Sequence, residues 1–355
     1  MNDPFSCVSA HRIGFIGTGA DPDNPSASGY AMAYRHAEAY REIEECSLVA
    51  CADLVRENAT AFAREFDIPE ENVYASYEEM LDDAAPDIVS ICVPPVAHAE
   101  LVIGCARHGG VAAIHCEKPM ALTWGEAREM AEVAVEHGVQ LTFNHQRRYA
   151  ELFREAKRLL DDGVIGEITR VGFTWGNFYD NGTHAIDMCN YFNDETPARW
   201  ILAGLDYREE QLIFGTHNEN HMLAHWEYEN GVQGMASTGY GADLFDADWR
   251  VEGADGRLDV DLGALSLEVS TFDGGIEHYT YERGGDWIRP AIDDVVACLD
   301  AGRPSDLRAE HALQATEIIF GGYESVRRRS RVDFPLDIED NPLAEMVASG
   351  QLQPQ

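Results

Sequence analysis

The chain has 355 residues, 45% of them hydrophobic, which suffices for two domains with sizeable cores. Its 63 acidic residues outweigh 26 basic ones, and the formal net charge of −37 excludes a nucleic-acid partner, whose phosphates it would repel. Lysine is almost missing: of the basic residues only Lys118 and Lys157 are lysines, and the other 24 are arginines.

The acids recur along the whole chain, in EIEE, PEEN, YEEMLDD, REEQ and IEDN, rather than in a tail. Apolar segments run throughout, so the chain is not an acidic disordered one. The spread fits a protein built for a cytoplasm at molar salt, where a Debye length of about 3 Å screens self-repulsion. Eight cysteines occur without a CxxC pair, and Cys51, Cys92, Cys105, Cys116 and Cys298 stand in apolar surroundings as single buried thiols. No leader pattern and no apolar run of membrane length is present, so the expectation is a reduced, soluble, cytoplasmic protein.

In chain order, RIGFIG is a strand that ends in glycine. The helix AMAYRHAEAY, the strand SLVACAD and the helix VRENATAFAREF follow. Next come the strand DIVSICV, the helix AHAELVIGCARHG, the strand VAAIHCE, the helix TWGEAREMAEVAVEHG and the strand VQLTFN. Continuous apolar strands alternating with amphipathic helices predict a parallel sheet covered on both faces, an α/β Rossmann domain over 1–145. Beyond about residue 163 the period changes to polar–apolar alternation, with hairpin dipeptides at Asn230-Gly231 and Asp255-Gly256. Residues 146–355 therefore read as an α+β domain with a large, mainly antiparallel sheet, and helices over 287–301 and 309–329 pack back on the domains.

Gly17 and Gly19 follow the first strand, where a glycine pair permits a tight turn and brings backbone N–H groups close to a pyrophosphate. The helix start is delayed by ADPDNPSASGY (20–30), which makes Ala33 the third small residue of the fingerprint. Asp53 ends the second strand, placed to accept hydrogen bonds from an adenosine ribose. Its distance from Gly17 is longer than the usual twenty or so by about the length of the insertion. Asp21 and Asp23 would repel phosphates and are expected to point away. With no arginine directly after Asp53, NAD is the expected cofactor and NADP, through the nearby Arg56, the alternative.

Ligands of open α/β sheets bind outside the carboxyl ends of the strands. There the sequence places Pro94 and His98, then Glu117-Lys118-Pro119, then Asn144 to Tyr149 with Arg147 and Arg148. Farther on, Asp180 and His184 stand at the start of a helix, and Trp175, Asn177 and Tyr179 precede them as possible walls of a pocket. His217, His221 and His225 are spaced by four, but they fall on strand-like sequence, and no metal site is expected from them.

EKP after a Rossmann strand, DNGTH as D-x-G-x-H, and PPVAH in place of P-N-x-x-H together resemble the Gfo/Idh/MocA oxidoreductases, a family that includes glucose–fructose oxidoreductase and inositol dehydrogenase. The resemblance covers nearly the whole chain, and the 20–30 insertion departs from it. It implies that Lys118, Asp180 and His184 form the catalytic group. It also implies that Gly17, Gly19, Ala33, Asp53, Pro94, His98 and Glu117 face the cofactor. Arg147, Arg148, Trp175, Asn177 and Tyr179 are the candidate substrate contacts. The implied reaction passes a hydride between a sugar or polyol hydroxyl and nicotinamide, with His184 preferred over Lys118 as the base. In similar proteins the open sheet face serves dimers or tetramers, so a homo-oligomer is expected. The rival expectations are a member whose NAD redox is transient, such as an NAD-dependent glycosidase or a sugar 3-oxidase, and a sugar-sensing regulator without catalysis.

Overall fold

The computed structural model describes residues 11–20, 32–242, 245–282 and 287–355. The chain forms two compact units. One comprises 1–117, 129–144 and 288–309, and the other 118–128, 145–287 and 310–355. The division is thus not a single cut near residue 145. A short segment beginning at Lys118 groups with the second unit, and the helix Ile288–Ala301 groups with the first.

The first unit carries β1 (His11–Ile16), α1 (Met32–Arg41), β2 (Cys46–Ala52), α2 (Arg56–Glu65), β3 (Val73–Tyr74), α3 (Tyr77–Ala84), β4 (Ile88–Ile91), α4 (His98–His108), β5 (Ala113–Cys116), the later part of α5 (Trp124–His137) and β6 (Gln140–Phe143). The six strands are all parallel in the order β3-β2-β1-β4-β5-β6. This is the doubly wound arrangement whose crevice opens where the strand order reverses, between β1 and β4. Every residue of β4 and β5 is buried, as strands covered on both faces require. One face is filled by Phe15, Tyr34, Tyr40 and Phe62, with Ile288, Ile292 and Val296 of the late helix. The Phe15 and Phe62 rings meet edge-on at 5.0 Å, and each such fully buried aromatic contributes roughly 1.5–3 kcal/mol. Helix α3 starts at a Ser76 cap that accepts from Glu79 N.

The second unit contains α6 (Glu151–Asp161), β7 (Ile168–Phe173), α7 (Gly182–Phe192), β8 (Ala198–Asp206), β9 (Leu212–Ile213), β10 (Thr216–His217), β11 (His221–Tyr228), β12 (Gln233–Ser237), β13 (Trp249–Gly253), β14 (Gly256–Asp261), β15 (Ser266–Thr271) and β16 (Ile276–Thr280). After the late helix, α8, come α9 (Ala309–Arg328), β17 (Val332–Asp333) and α10 (Pro342–Ala348). Nine strands form one sheet in the order β16-β15-β14-β13-β7-β12-β11-β8-β17, antiparallel except for the β7–β12 pair. Along β11 the inward residues Met222, Ala224, Trp226 and Tyr228 are buried, while Leu223 on the other face is exposed. Helix α7 packs on β7, and ten of its eleven residues are buried. An apolar, nearly all-buried helix is the central support of this unit. Among the described residues, no helix is long and apolar enough to cross a membrane.

Candidate active site

In the first unit the candidate cofactor residues gather at the carboxyl ends of β1, β2, β4 and β5. Gly17 has φ +78°, and a Cβ there would stand 2.3 Å from Val93 Cγ1, so only glycine fits between the turn and the neighbouring strand end. The loop's N–H groups point at an anion. Thr18 N and Gly19 N donate to Asp53 Oδ2 at 2.8 and 3.3 Å, and the Thr18 hydroxyl adds a third bond at 3.0 Å. Asp53 Oδ1 accepts from Val55 N. The Asp53 carboxylate is thus engaged by the glycine loop, because successive backbone N–H groups make a ready anion nest. Ala33 is fully buried on α1 in the core, where a small side chain lets helix and sheet approach. The insertion, with Asp21 and Asp23, lies outside the described residues.

Pro94 is exposed and precedes a short 3₁₀ turn. His98 is fully buried, with Nε2 2.9 Å from Val93 O. It therefore shapes the turn from within. Glu117 is also turned inward, accepting from Asn144 Nδ2 at 2.7 Å and pairing with His36 Nε2 at 3.0 Å. His36 Nδ1 meets Ser90 Oγ at 2.8 Å and Cys92 Sγ at 3.5 Å. Burial alone would lower the His36 pKa, but Cys92 and Glu117 outweigh it and raise it to about 10. The His115 pKa, with its ring centroid 5.0 Å from that of His36, is driven down to about 3 by burial and by the charge on His36. Sequence reasoning missed this network. Its only trace was a histidine on the same helical face as Ala33, Ala37 and Tyr40.

In the second unit Lys118 and Asp180 meet. Lys118 Nζ lies 3.0 Å from Asp180 Oδ1 and 3.4 Å from the Asp180 carbonyl oxygen. The chain reaches Asp180 through a tight turn at Gly176, whose φ of +60° and nearness to Asn181 leave no room for a Cβ. Asn177 Oδ1 accepts from Asn181 N at 2.9 Å, and Asn218 Oδ1 accepts from Asp180 N at 3.3 Å. Asn181 is the N-cap residue of α7, so Asp180 precedes the helix start, where the dipole favours a carboxylate. His184 follows in the first turn. It is buried, and its Nδ1 has no hydrogen-bond partner. Burial, then the charges of Arg147, Lys118 and His145, lower its pKa well below the usual value. The imidazole is therefore neutral at pH 7 and ready to accept a proton.

Three expected substrate contacts are spoken for. Arg148 is buried in a two-pronged pair with Asp187 at 2.9 and 2.6 Å, and Nη1 reaches Glu195 at 2.6 Å and His311 at 3.1 Å. A desolvated guanidinium is stable only when its hydrogens are matched in this way, so Arg148 is a structural ion and not a ligand contact. Tyr179 is buried and donates its hydroxyl to Ala121 O at 2.8 Å. Asn177 is buried and holds the turn. Arg147 and Trp175 are the two that stay partly open, the guanidinium carbon lying 4.1 Å from the Trp175 ring centroid. His145, Thr183 and Asp187 were not foreseen as supports of α7. His145 bridges Asp187 (2.9 Å) and Thr183 (3.2 Å), and its ring centroid lies 5.6 Å from that of His184. The histidines noted for their spacing lie apart from these residues' chemistry: His217 meets Tyr207, His221 meets Thr238 O, and His225 meets Gln233.

Comparison with known proteins agrees with this geometry. The profile of the Gfo/Idh/MocA group, described as an oxidoreductase family with an NAD-binding Rossmann fold, matches residues 12–145. The chain is 31% identical over 353 residues to a D-apiose dehydrogenase of Paraburkholderia graminis, covering 90% of this chain and 91% of that protein. It is 24% identical over 343 residues to a myo-inositol 2-dehydrogenase of Thermotoga maritima, covering 90% and 98%. The fold matches an NAD-binding oxidoreductase of Klebsiella pneumoniae with a TM-score of 0.75 at 20% identity, over 93% of this chain and 100% of that one. Glycine loop, parallel sheet, Lys118–Asp180 pair and full-length likeness converge: the chain belongs to the Gfo/Idh/MocA family of NAD-binding oxidoreductases.

Proposed function

We propose that the protein oxidises a secondary or hemiacetal hydroxyl of a sugar or polyol, with NAD as the oxidant. NAD, when bound, takes the carbinol hydride. The glycine loop suits it, since Gly17, at φ +78° and with no room for a Cβ, turns the backbone tightly at the carboxyl end of β1. The observation that carries the reading is the Lys118–Asp180 pair at 3.0 Å, with neutral His184 one short step into α7. The Lys118 ammonium donates to the reacting oxygen and stabilises developing alkoxide. His184 takes the hydroxyl proton. The second Asp180 oxygen is free of the lysine and holds a neighbouring hydroxyl, which fixes the sugar's orientation.

The acidic, lysine-poor composition supports a cytoplasm at molar salt as the working environment. Exposed Leu202 and Leu223 on neighbouring strands β8 and β11 support a second copy docking on that sheet face. Light scattering at molar KCl measures the assembly, and a monomer there would refute it. The function is tested with a panel of aldoses, sugar acids and inositols, followed by NADH absorbance at molar KCl. Lys118→Ala should lower kcat by roughly 10²–10⁴-fold on the best substrate. Unchanged turnover in that variant would refute the mechanism. Retained cofactor with no net NADH would point to transient redox instead.

A further inference from the structure

Arg147 and Arg148 are adjacent, yet their surroundings are opposite. Arg148 has two carboxylates within 2.6 Å of its nitrogens. Arg147 has none: among the described residues no carboxylate oxygen closes on it, and its buried Nη1 has no hydrogen-bond partner. In a chain with 63 acids for 26 bases, a half-buried guanidinium whose Nη1 is sealed from solvent and unbonded stands out. The carboxylates around it are all committed elsewhere. Asp248 accepts from Leu262 N at 2.8 Å, Asp180 pairs with Lys118, and Asp187 pairs with Arg148 and His145. Burial accordingly lowers the Arg147 pKa, against the pull of those three distant charges.

The guanidinium is also held in a set pose. Its carbon lies 4.1 Å from the Trp175 ring centroid and 5.7 Å from that of Trp249. The two indoles, 5.8 Å apart, cover the guanidinium from one side and leave its N–H groups for a partner. A planar carboxylate is the partner that matches two parallel N–H donors. The fork stands near the proton-transfer group, since Trp249, 5.7 Å from the guanidinium carbon, donates its indole N–H at 3.1 Å to the carbonyl of Ala185, the residue after His184.

We propose that Arg147 is a carboxylate-binding residue of the substrate site, and that the substrate class is sugar acids, aldonates or uronates. This rests on the dehydrogenase reading above. One carboxylate supplies the missing counter-charge while Lys118 and His184 address a hydroxyl farther along the same molecule. A phosphate ester would bring a second negative charge toward Asp180, Asp187 and Asp248, which disfavours it.

The test measures kcat/KM with NAD for aldonates and uronates, for the matching neutral aldoses and inositols, and for sugar phosphates, at molar KCl. The wild type is expected to favour the acids by at least about tenfold. Arg147→Met, which keeps an apolar stem over Trp175, should lower the acid-to-neutral ratio by about 10- to 100-fold. Arg147→Lys keeps the charge without the fork and should lie between. A preference for neutral sugars or for phosphate esters overturns the proposal, as does an Arg147→Met variant with an unchanged ratio. If no compound yields NADH, the dehydrogenase reading fails on its own, and calorimetric titration with aldonates and uronates judges the subsite. At least tenfold weaker binding in Arg147→Met upholds it, and equal or absent binding overturns it.

Discussion

Replacing Arg148 by methionine should unfold more of this protein than any surface change. The Arg148 side chain is 2% exposed and that of Asp187 is 1%. The guanidinium makes two bonds to Asp187 and one to Glu195. Removing it leaves Asp187 buried with only the His145 ring, 2.9 Å away, beside it among the basic side chains described. Breaking a buried pair from one side costs about 3–5 kcal/mol, a large share of the roughly 5–15 kcal/mol that holds a typical domain. Urea unfolding at pH 7, in low and in molar KCl, measures the loss. The loss should be similar in both, because salt screens a water-excluded pair poorly. The double variant Arg148→Met/Asp187→Leu should recover most of the stability, since it removes the stranded charge as well.

The pH arm has a definite sign. Burial raises the Asp187 pKa, but Arg148 and His145 outweigh it and hold the group well below the usual carboxylate range. The stability it contributes is therefore present above the unfolded value of about 3.9 and is lost as pH falls through the lower folded value. Without Arg148, burial dominates, the folded value moves up, and acid unfolding begins at higher pH. A loss below about 1 kcal/mol at pH 7, the range of exposed pairs, would refute the reasoning.

Three further outcomes follow from the same geometry. Because burial and the charges of Arg147 and Lys118 lower the His184 pKa below its usual value of 6.5, the acid limb of kcat/KM should lie on the acid side of that value, and a limb centred above it would exclude His184 as the base. The folded His36 pKa is raised to about 10, so its stabilisation is full below about 6.5 and is lost as pH rises toward 10; in thermal melts across that window, His36→Gln should show a flatter decline than the wild type. Gly17→Ala places a methyl 2.3 Å from Val93 Cγ1 at φ +78°, and NAD affinity measured by calorimetry should drop by about tenfold or more, a left-handed alanine costing about 1–2 kcal/mol before the clash.

The alternating strands and helices were legible because parallel strands buried on both faces are continuous apolar runs, as in IVSI and AIHC. The antiparallel sheet was legible from its period of two, as in HMLAHWEY. Lys118, Asp180 and His184 stood out by type and position, and the first two do meet. Buried ions were not legible. Arg148, Asp187 and Glu117 carry the letters of surface residues, and only three-dimensional pairing makes them interior ones. Nor does a linear string show that 118–128 groups with residues beyond 145, since that depends on contacts far apart in sequence. Asp53 was located correctly at the end of β2, but which donors it serves is a matter of side-chain direction.

Trp249 has a place in two devices at once. Its ring is one wall beside the Arg147 guanidinium, and its indole N–H donates to the Ala185 carbonyl at 3.1 Å, in the residue directly after His184. A substitution at 249 therefore reaches the guanidinium and the first turn of α7 together. Trp175 flanks the guanidinium more closely, at 4.1 Å, and stands on the loop before α7. Position 249 thus ties the guanidinium to α7, whereas position 175 lies against the guanidinium from the preceding loop. An engineer who wants a new substrate with the old chemistry should begin at 175 and leave 249 alone.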